Sequence, residues 1–289
     1  MTKPLTPKQL ARAIDVSESS VKRWCDQGVI TTEYTAGGHR RIPISVAIEF
    51  VRNHNQTIAN PEILGLPVTS GKTSRVTRRA TQQLTEKLLA GEPDQCRRIL
   101  YDLYLAGQSI ASICDQVMAA SFREIGDAWE CGAAEVYQER VGCEITLRFL
   151  RELRATTPPP PKSAPVAIGG TPAGDYYQIP AAMADLVLYN LGWNSVPLGT
   201  NLPFATLKAA VDNYQPQFIW LSVSHVAEKE TFEVEFKAFA KSIKDAKLAF
   251  GGRAFADINL DGLENGTFCS SIEQLEVFAN SLHLHNLSN

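Results

Sequence analysis

Apolar residues recur at helical spacing through four successive stretches in the middle of the chain, residues 75–90, 94–106, 109–128 and 133–154. Gly91-Glu92-Pro93 and Gly107-Gln108 interrupt the pattern, and Asp94 and Ser109 stand where side chains can cap the following helices. Helices of this length with short links predict a four-helix bundle, with Leu84, Leu88, Ile99, Leu103, Ile110, Ile113, Val117 and Phe122 in its core by spacing. Beyond residue 165 the periodicity changes. Short β-prone runs at 166–169, 194–198, 218–222 and 248–250 alternate with helical patterns at 179–190, 204–213, 231–243 and 271–282. That alternation predicts a doubly wound parallel sheet covered by helices on both faces, which receives ligands beyond the carboxyl ends of its strands.

The first forty residues follow a third pattern. Thr6 caps and Pro7 opens a first helix over residues 7–13, in which Leu10 and Ala13 recur at helical spacing towards Ile14. Ser17 caps a second helix that runs to about Gln27 before Gly28 closes it, with Val21 and Trp24 facing inward and Ser19, Ser20, Lys22 and Arg23 outward. Gly37-Gly38 then lies between β-prone flanks, so residues 30–42 predict a hairpin with His39, Arg40 and Arg41 at its tip.

Breaks in pattern divide the chain into residues 1–60, 75–155 and 166–289. The proline cluster Pro158-Pro159-Pro160-Pro161 makes 156–165 a semi-rigid spacer, and Pro61, Gly65, Pro67 and Gly71 mark a weaker boundary over 60–74. At 289 residues the chain has room for several cores, and 44% apolar content excludes disorder. Charge is unevenly spread. Residues 1–80 hold twelve Lys and Arg against six Asp and Glu, a net +6, whereas the remainder holds sixteen against twenty-five, a net −9. A basic head on an acidic body points to an anionic partner for the head. No apolar run of about 18 residues occurs and the N-terminus carries no secretory pattern, so a cytoplasmic protein without membrane insertion is expected. The six cysteines form no C-x-x-C pair. Structural zinc and a disulfide framework are therefore unexpected, and the cysteines are expected to be buried thiols.

Small hydroxyls at the start of the second helix and cations along its side suit entry into a major groove, while donors at the hairpin tip suit the phosphate backbone. Leu5-Thr6-x-x-x-Leu10-Ala11, Ser20-Val21-x-Arg23-Trp24-x-x-x-Gly28 and Thr35-Ala36-Gly37-Gly38-His39-Arg40-Arg41 closely resemble the MerR-type winged helix-turn-helix regulators. The resemblance implies DNA binding as a dimer, with Ser19, Ser20, Lys22, Arg23, Thr35, His39, Arg40 and Arg41 as the candidate interface. No cysteine cluster accompanies this head, which sets it apart from the metal-sensing branch.

In the C-terminal portion, Asp175-x-Tyr177-x-x-Pro180 is followed after 41 residues by Ser222-x-Ser224 and after 26 more by Gly251-Gly252. This spacing resembles the cobalamin-binding domains, whose fold is flavodoxin-like, but Tyr177 stands where their cobalt-ligating histidine would be. In order, the three segments resemble the light-sensing, B12-dependent MerR-like repressors. Trp129 and Glu139 match the pair that caps the cofactor there, and Arg140 replaces the histidine that follows. The resemblance therefore offers Trp129, Glu139, Asp175, Tyr177, Ser222, Ser224, His225, Gly251 and Gly252 as a cofactor-binding set without a metal ligand. A phenol ligates metals mainly after losing its proton, at about pH 10 when unperturbed, so Tyr177 is a poor substitute for imidazole. Three possibilities stay open: cobalamin of the adenosylcobalamin type held with its own base, another tetrapyrrole such as haem or bilin, or no ligand.

The expected function is a sequence-specific, non-enzymatic transcriptional regulator, a repressor on double-stranded operator DNA. It would act as a homo-oligomer, dimer or tetramer, with DNA affinity set through the cobalamin-binding-like trunk. The alternative is a corrinoid-binding subunit for methyl transfer or isomerisation, which shares the bundle and sheet. No catalytic residue is expected.

Overall fold

The computed structural model describes residues 4–54, 56, 58–65, 74–243, 245–263 and 265–287. They divide into two compact units, Met1–Ile145 and Thr146–Asn289.

The first unit begins with helix α1 (Pro7–Ala13) and helix α2 (Glu18–Asp26). Thr6 and Gln9 form a reciprocal cap on α1: Thr6 Oγ1 accepts from the Gln9 N–H at 3.2 Å and Gln9 Oε1 accepts from the Thr6 N–H at 2.8 Å. Ser17 Oγ caps α2 by accepting from the Ser20 N–H at 3.1 Å. Strands β1 (Glu33–Tyr34) and β2 (Arg40–Arg41) pair antiparallel, and a bridge between Leu5 and Ile42 ties the hairpin's exit to the start of the chain. Helix α3 (Ile44–Asn53) follows directly and was outside the sequence expectation. It buries Ala47, Ile48, Phe50 and Val51, and Phe50 meets Trp24 of α2 with ring centroids 4.9 Å apart.

Much of the boundary expected over 60–74 lies outside the described residues; Pro61–Leu64 forms a short 3-10 turn. The bundle comprises α4 (Ser74–Leu89), α5 (Pro93–Leu105), α6 (Ile110–Ile113), α7 (Ala119–Glu130) and α8 (Val136–Thr156), whose last turns belong to the second unit. Two details differ from expectation. The stretch 109–128 is not one regular helix, because a π-helical segment, Cys114–Met118, joins α6 to α7. Asp94 lies inside the first turn of α5 rather than capping it, since Pro93 already supplies the helix's first residue. Six of the eight proposed core residues are buried, while Ile99 and Phe122 are half-buried.

The second unit carries a five-stranded, all-parallel sheet in the order β4-β3-β5-β6-β7, formed by β3 (Val166–Pro172), β4 (Asn194–Leu202), β5 (Phe218–Ser222), β6 (Lys247–Gly251) and β7 (Thr267–Phe268). Alternate residues of β5 serve opposite cores. Phe218 and Trp220 pack with α9 (Ile179–Asn190) and α12 (Ile272–Leu287). Ile219 and Leu221 pack with α10 (Phe204–Tyr214) and α11 (Lys229–Ser242), among Phe232, Phe236 and Phe239. This two-sided burial explains the continuous apolar run of β5. Close packing at the sheet centre requires Gly169, where a Cβ would fall 2.1 Å from the Trp220 carbonyl oxygen. Because β3 lies between β4 and β5, the order in which strands are added reverses there, and the crevice beyond the ends of β3 and β5 is the switch point at which such sheets take ligands.

The expectation of uniformly buried cysteines is corrected. Cys25, Cys96, Cys114 and Cys269 are buried, Cys143 is half-buried, and Cys131 is exposed because it lies in the turn that ends α7.

Candidate functional site

The surface of α2 presents the predicted hydroxyls and cations. Ser17 Oγ lies 2.8 Å from both Ser19 Oγ and Ser20 Oγ, which gathers three hydroxyls at the helix start. Lys22 and Arg23 are exposed, and Lys22 pairs with Glu18 one turn earlier at 2.9 Å. The hairpin tip is fixed by Thr35, whose Oγ1 accepts from the His39 N–H at 3.1 Å, while its carbonyl accepts from Gly38 at 2.8 Å. Thr35 and His39 are exposed.

Arg40 and Arg41 sit differently from the tip residues. Arg40 keeps only 23% of its side-chain surface exposed. Its Nη2 donates to Asp26 Oδ1 at 2.7 Å and to the Tyr34 hydroxyl at 3.1 Å, and its Nη1 reaches the Lys22 carbonyl at 3.4 Å. Bonds to Tyr34 and then Asp26 hold the guanidinium even more firmly protonated than usual. Arg41 is half-buried and donates from Nη1 to the Arg40 carbonyl at 3.1 Å. Asp26, at the C-terminal end of α2, was not singled out in the sequence. Its signal, an acid at the helix end beside a hairpin rich in arginine, becomes readable only once the hairpin is placed.

In the bundle, Trp129 lies in the last turn of α7 and is 51% exposed, while Glu139 lies half-buried in the first turn of α8. Val136, Tyr137 and Val141 add exposed apolar surface to the same end of α8.

The sheet-edge residues converge around Asp175, which is fully buried. Its Oδ1 accepts from the Tyr177 N–H at 2.9 Å; its Oδ2 accepts from the Ser224 N–H at 2.5 Å and the His225 N–H at 3.3 Å. One carboxylate thus joins the loop after β3 to the loop after β5. The Asp175 carbonyl also accepts from Thr171 Oγ1 at 2.6 Å and from the Asn201 N–H at 3.0 Å, so Thr171 and Asn201 join the constellation. Ser222 is buried, Ser224 half-buried, and His225 and Tyr177 are exposed. Arg253 donates from Nε to the Ser224 carbonyl at 2.9 Å and places its guanidinium 5.0 Å from the centre of the Tyr177 ring. Gly252 holds φ at +119°, and a Cβ there would lie 2.2 Å from the Val223 carbonyl oxygen, so only glycine suits the approach of the loop after β6 to the loop after β5.

Two members of this set, Tyr177 and Asp175, do not fit cobalt ligation. Position 177 offers a phenol, and the Asp175 carboxylate is committed to main-chain N–H groups. The constellation staples two loops, with the exposed imidazole of His225 beside them.

Three similarities bear on this arrangement. Residues 80–154 match the family described as B12 binding domain. The HTH-type transcriptional repressor CarA of Myxococcus xanthus is 25% identical over 141 residues, covering 49% of this chain and 46% of that protein. The chain therefore spans about half the length of this curated relative. The monomethylamine corrinoid protein of Methanosarcina barkeri superposes with a TM-score of 0.58 at 14% identity, over 71% of this chain and 99% of that one. At that identity it shows a shared fold of helices and parallel sheet and nothing further. Among the described residues no helix is long and apolar enough to cross a membrane.

Proposed function

We propose that the chain is a DNA-binding transcriptional repressor whose trunk is of the B12-binding type. The carrying observation is the joint surface of α2 and the hairpin tip, with the hydroxyls of exposed Ser17 and Ser19 and half-buried Ser20 at the helix start and exposed cations beside them. The match to a repressor and the net +6 of the first eighty residues support the same reading. In it, residues 1–60 form a winged helix-turn-helix, 75–155 the bundle, 156–165 the spacer and 166–289 the α/β domain.

Ser19, Ser20, Lys22 and Arg23 enter the major groove, and Thr35, His39 and Arg41 track the adjoining backbone. Two copies of the chain occupy paired half-sites, each raising the effective concentration of the other. The trunk changes DNA affinity only by as much as an effector prefers one assembly over another. The match over 80–154 supports a tetrapyrrole as the class of that effector. Tyr177 and Asp175 at the sheet edge do not fit cobalt ligation, and the regulatory step as proposed uses none.

The test is titration of the full chain against duplexes from its own upstream region at several salt concentrations. A repressor of this kind selects one duplex and loses affinity steeply with salt, the log–log slope following about 0.9 per neutralised phosphate. Absence of any selected duplex overturns the reading.

A further inference from the structure

Arg40 sits on the hairpin beside the exposed surface of α2, where a cation is ordinarily read as a contact to phosphate. Three of its five N–H donors are already committed. Asp26 Oδ1 takes Nη2 at 2.7 Å, the Tyr34 hydroxyl takes it at 3.1 Å, and the Lys22 carbonyl lies 3.4 Å from Nη1. Asp26 is the last residue of α2, and Lys22 lies one turn earlier. The guanidinium therefore lies against the last turn of α2, at the carboxyl end of the helix, where a cation is favoured. Tyr34 stands directly across the ladder from Arg40, so the same fork also grips the opposite strand of the hairpin. The hairpin is only two residues per strand, too short to hold its own angle by pairing alone.

We propose that Arg40, Asp26 and Tyr34 form a clasp that sets the angle of the hairpin against α2, and that Arg40 acts in DNA recognition as a positioning residue and not as a phosphate contact. The inference rests on the DNA-binding reading above. Asp26 is an exposed acid on a surface meant for a polyanion, so removing its charge should tighten DNA binding if nothing but field mattered. The clasp requires the opposite.

The experiment compares the wild-type chain with Asp26→Asn, Tyr34→Phe, Arg40→Lys and Arg23→Ala. Affinity for the duplex selected by the wild type is measured across a salt series, and amide exchange over residues 33–41 is followed in the free protein. Asp26→Asn and Arg40→Lys are expected to weaken binding about threefold to fivefold per head, the range of a partly exposed ion pair. Tyr34→Phe should produce a smaller loss. The salt slope should stay unchanged in all three while exchange in the hairpin accelerates. Arg23→Ala should leave hairpin exchange unchanged and cut affinity. If Asp26→Asn binds as tightly as the wild type or more tightly, or if Arg40→Lys leaves exchange unchanged, the clasp is overturned while the DNA reading stands. If the wild type selects no duplex, both fall.

Discussion

Replacing Asp175 with alanine removes the acceptor that joins the two loops at the sheet's switch point. Two of its main-chain hydrogen bonds are short, 2.9 Å from Tyr177 and 2.5 Å from Ser224, and the third, from His225 at 3.3 Å, is weaker. The residue is fully buried, so water cannot simply take the carboxylate's place without the loops opening. A hydrogen bond to a charged group contributes about 1.5–3 kcal/mol, and a buried donor left alone costs a similar amount. Counting only the two short bonds, Asp175→Ala should destabilise the second unit by about 3–6 kcal/mol, a large share of the roughly 5–15 kcal/mol of a typical domain. Asp175→Asn keeps one acceptor and turns an amide donor towards the other site, so about half that loss is expected. Urea unfolding followed by the fluorescence of buried Trp193 and Trp220 reports the global effect. Amide exchange at 177, 224 and 225 reports the local one. A loss below about 1 kcal/mol with unchanged protection at those amides would refute the reasoning.

Burial raises the Asp185 carboxyl pKa, against the lowering effects of Ser195 and Arg154, which pairs with it at 2.8 Å. A raised carboxyl binds its proton more tightly folded than unfolded, so its stability contribution is present at low pH and shrinks as pH rises through the folded value. Measured against Asp185→Asn across pH 4–7 (about), the wild type should therefore gain relative stability towards the acid end; a relative gain towards pH 7 contradicts this assignment. Thiol labelling at neutral pH should mark exposed Cys131 first, since burial pushes Cys96 up to about 12 and Cys143 up to about 11; labelling of Cys96 in the native chain ahead of Cys131 counts against the packing described. Tyr177→His puts an imidazole where the sheet edge has a phenol, and should give cobalamin a changed visible spectrum that the parent chain does not show. Identical spectra for the two proteins would mean that position 177 does not face the ligand.

The helices of the bundle and the alternation of the sheet domain were legible because each buries a long periodic face, as Leu84 and Leu88 do in α4 and Phe218 to Leu221 do in β5. Helix α3 was missed although Ile44, Ala47, Ile48 and Val51 fall at helical spacing. It follows the hairpin after Pro43 with no side-chain cap, so nothing local announces its start. Strand β7 has two residues and no period to read. At the head, the outward hydroxyls and cations of α2 follow from helix geometry, but the withdrawal of Arg40 does not. It depends on Asp26, fourteen residues away, and on where the hairpin packs. At the sheet edge the spacing of Asp175, Ser222 and Gly251 marked the loops that meet. What the spacing lacked was the direction of the hydrogen bonds, which makes Asp175 an acceptor for main-chain N–H groups.

Binding of Arg23→Ala to the selected duplex and to a scrambled duplex, at one salt concentration, tests most directly whether the face of α2 reads DNA. The account predicts that affinity for the selected duplex falls about tenfold or more while the scrambled duplex loses much less, so discrimination narrows. Unchanged discrimination with unchanged affinity would contradict it.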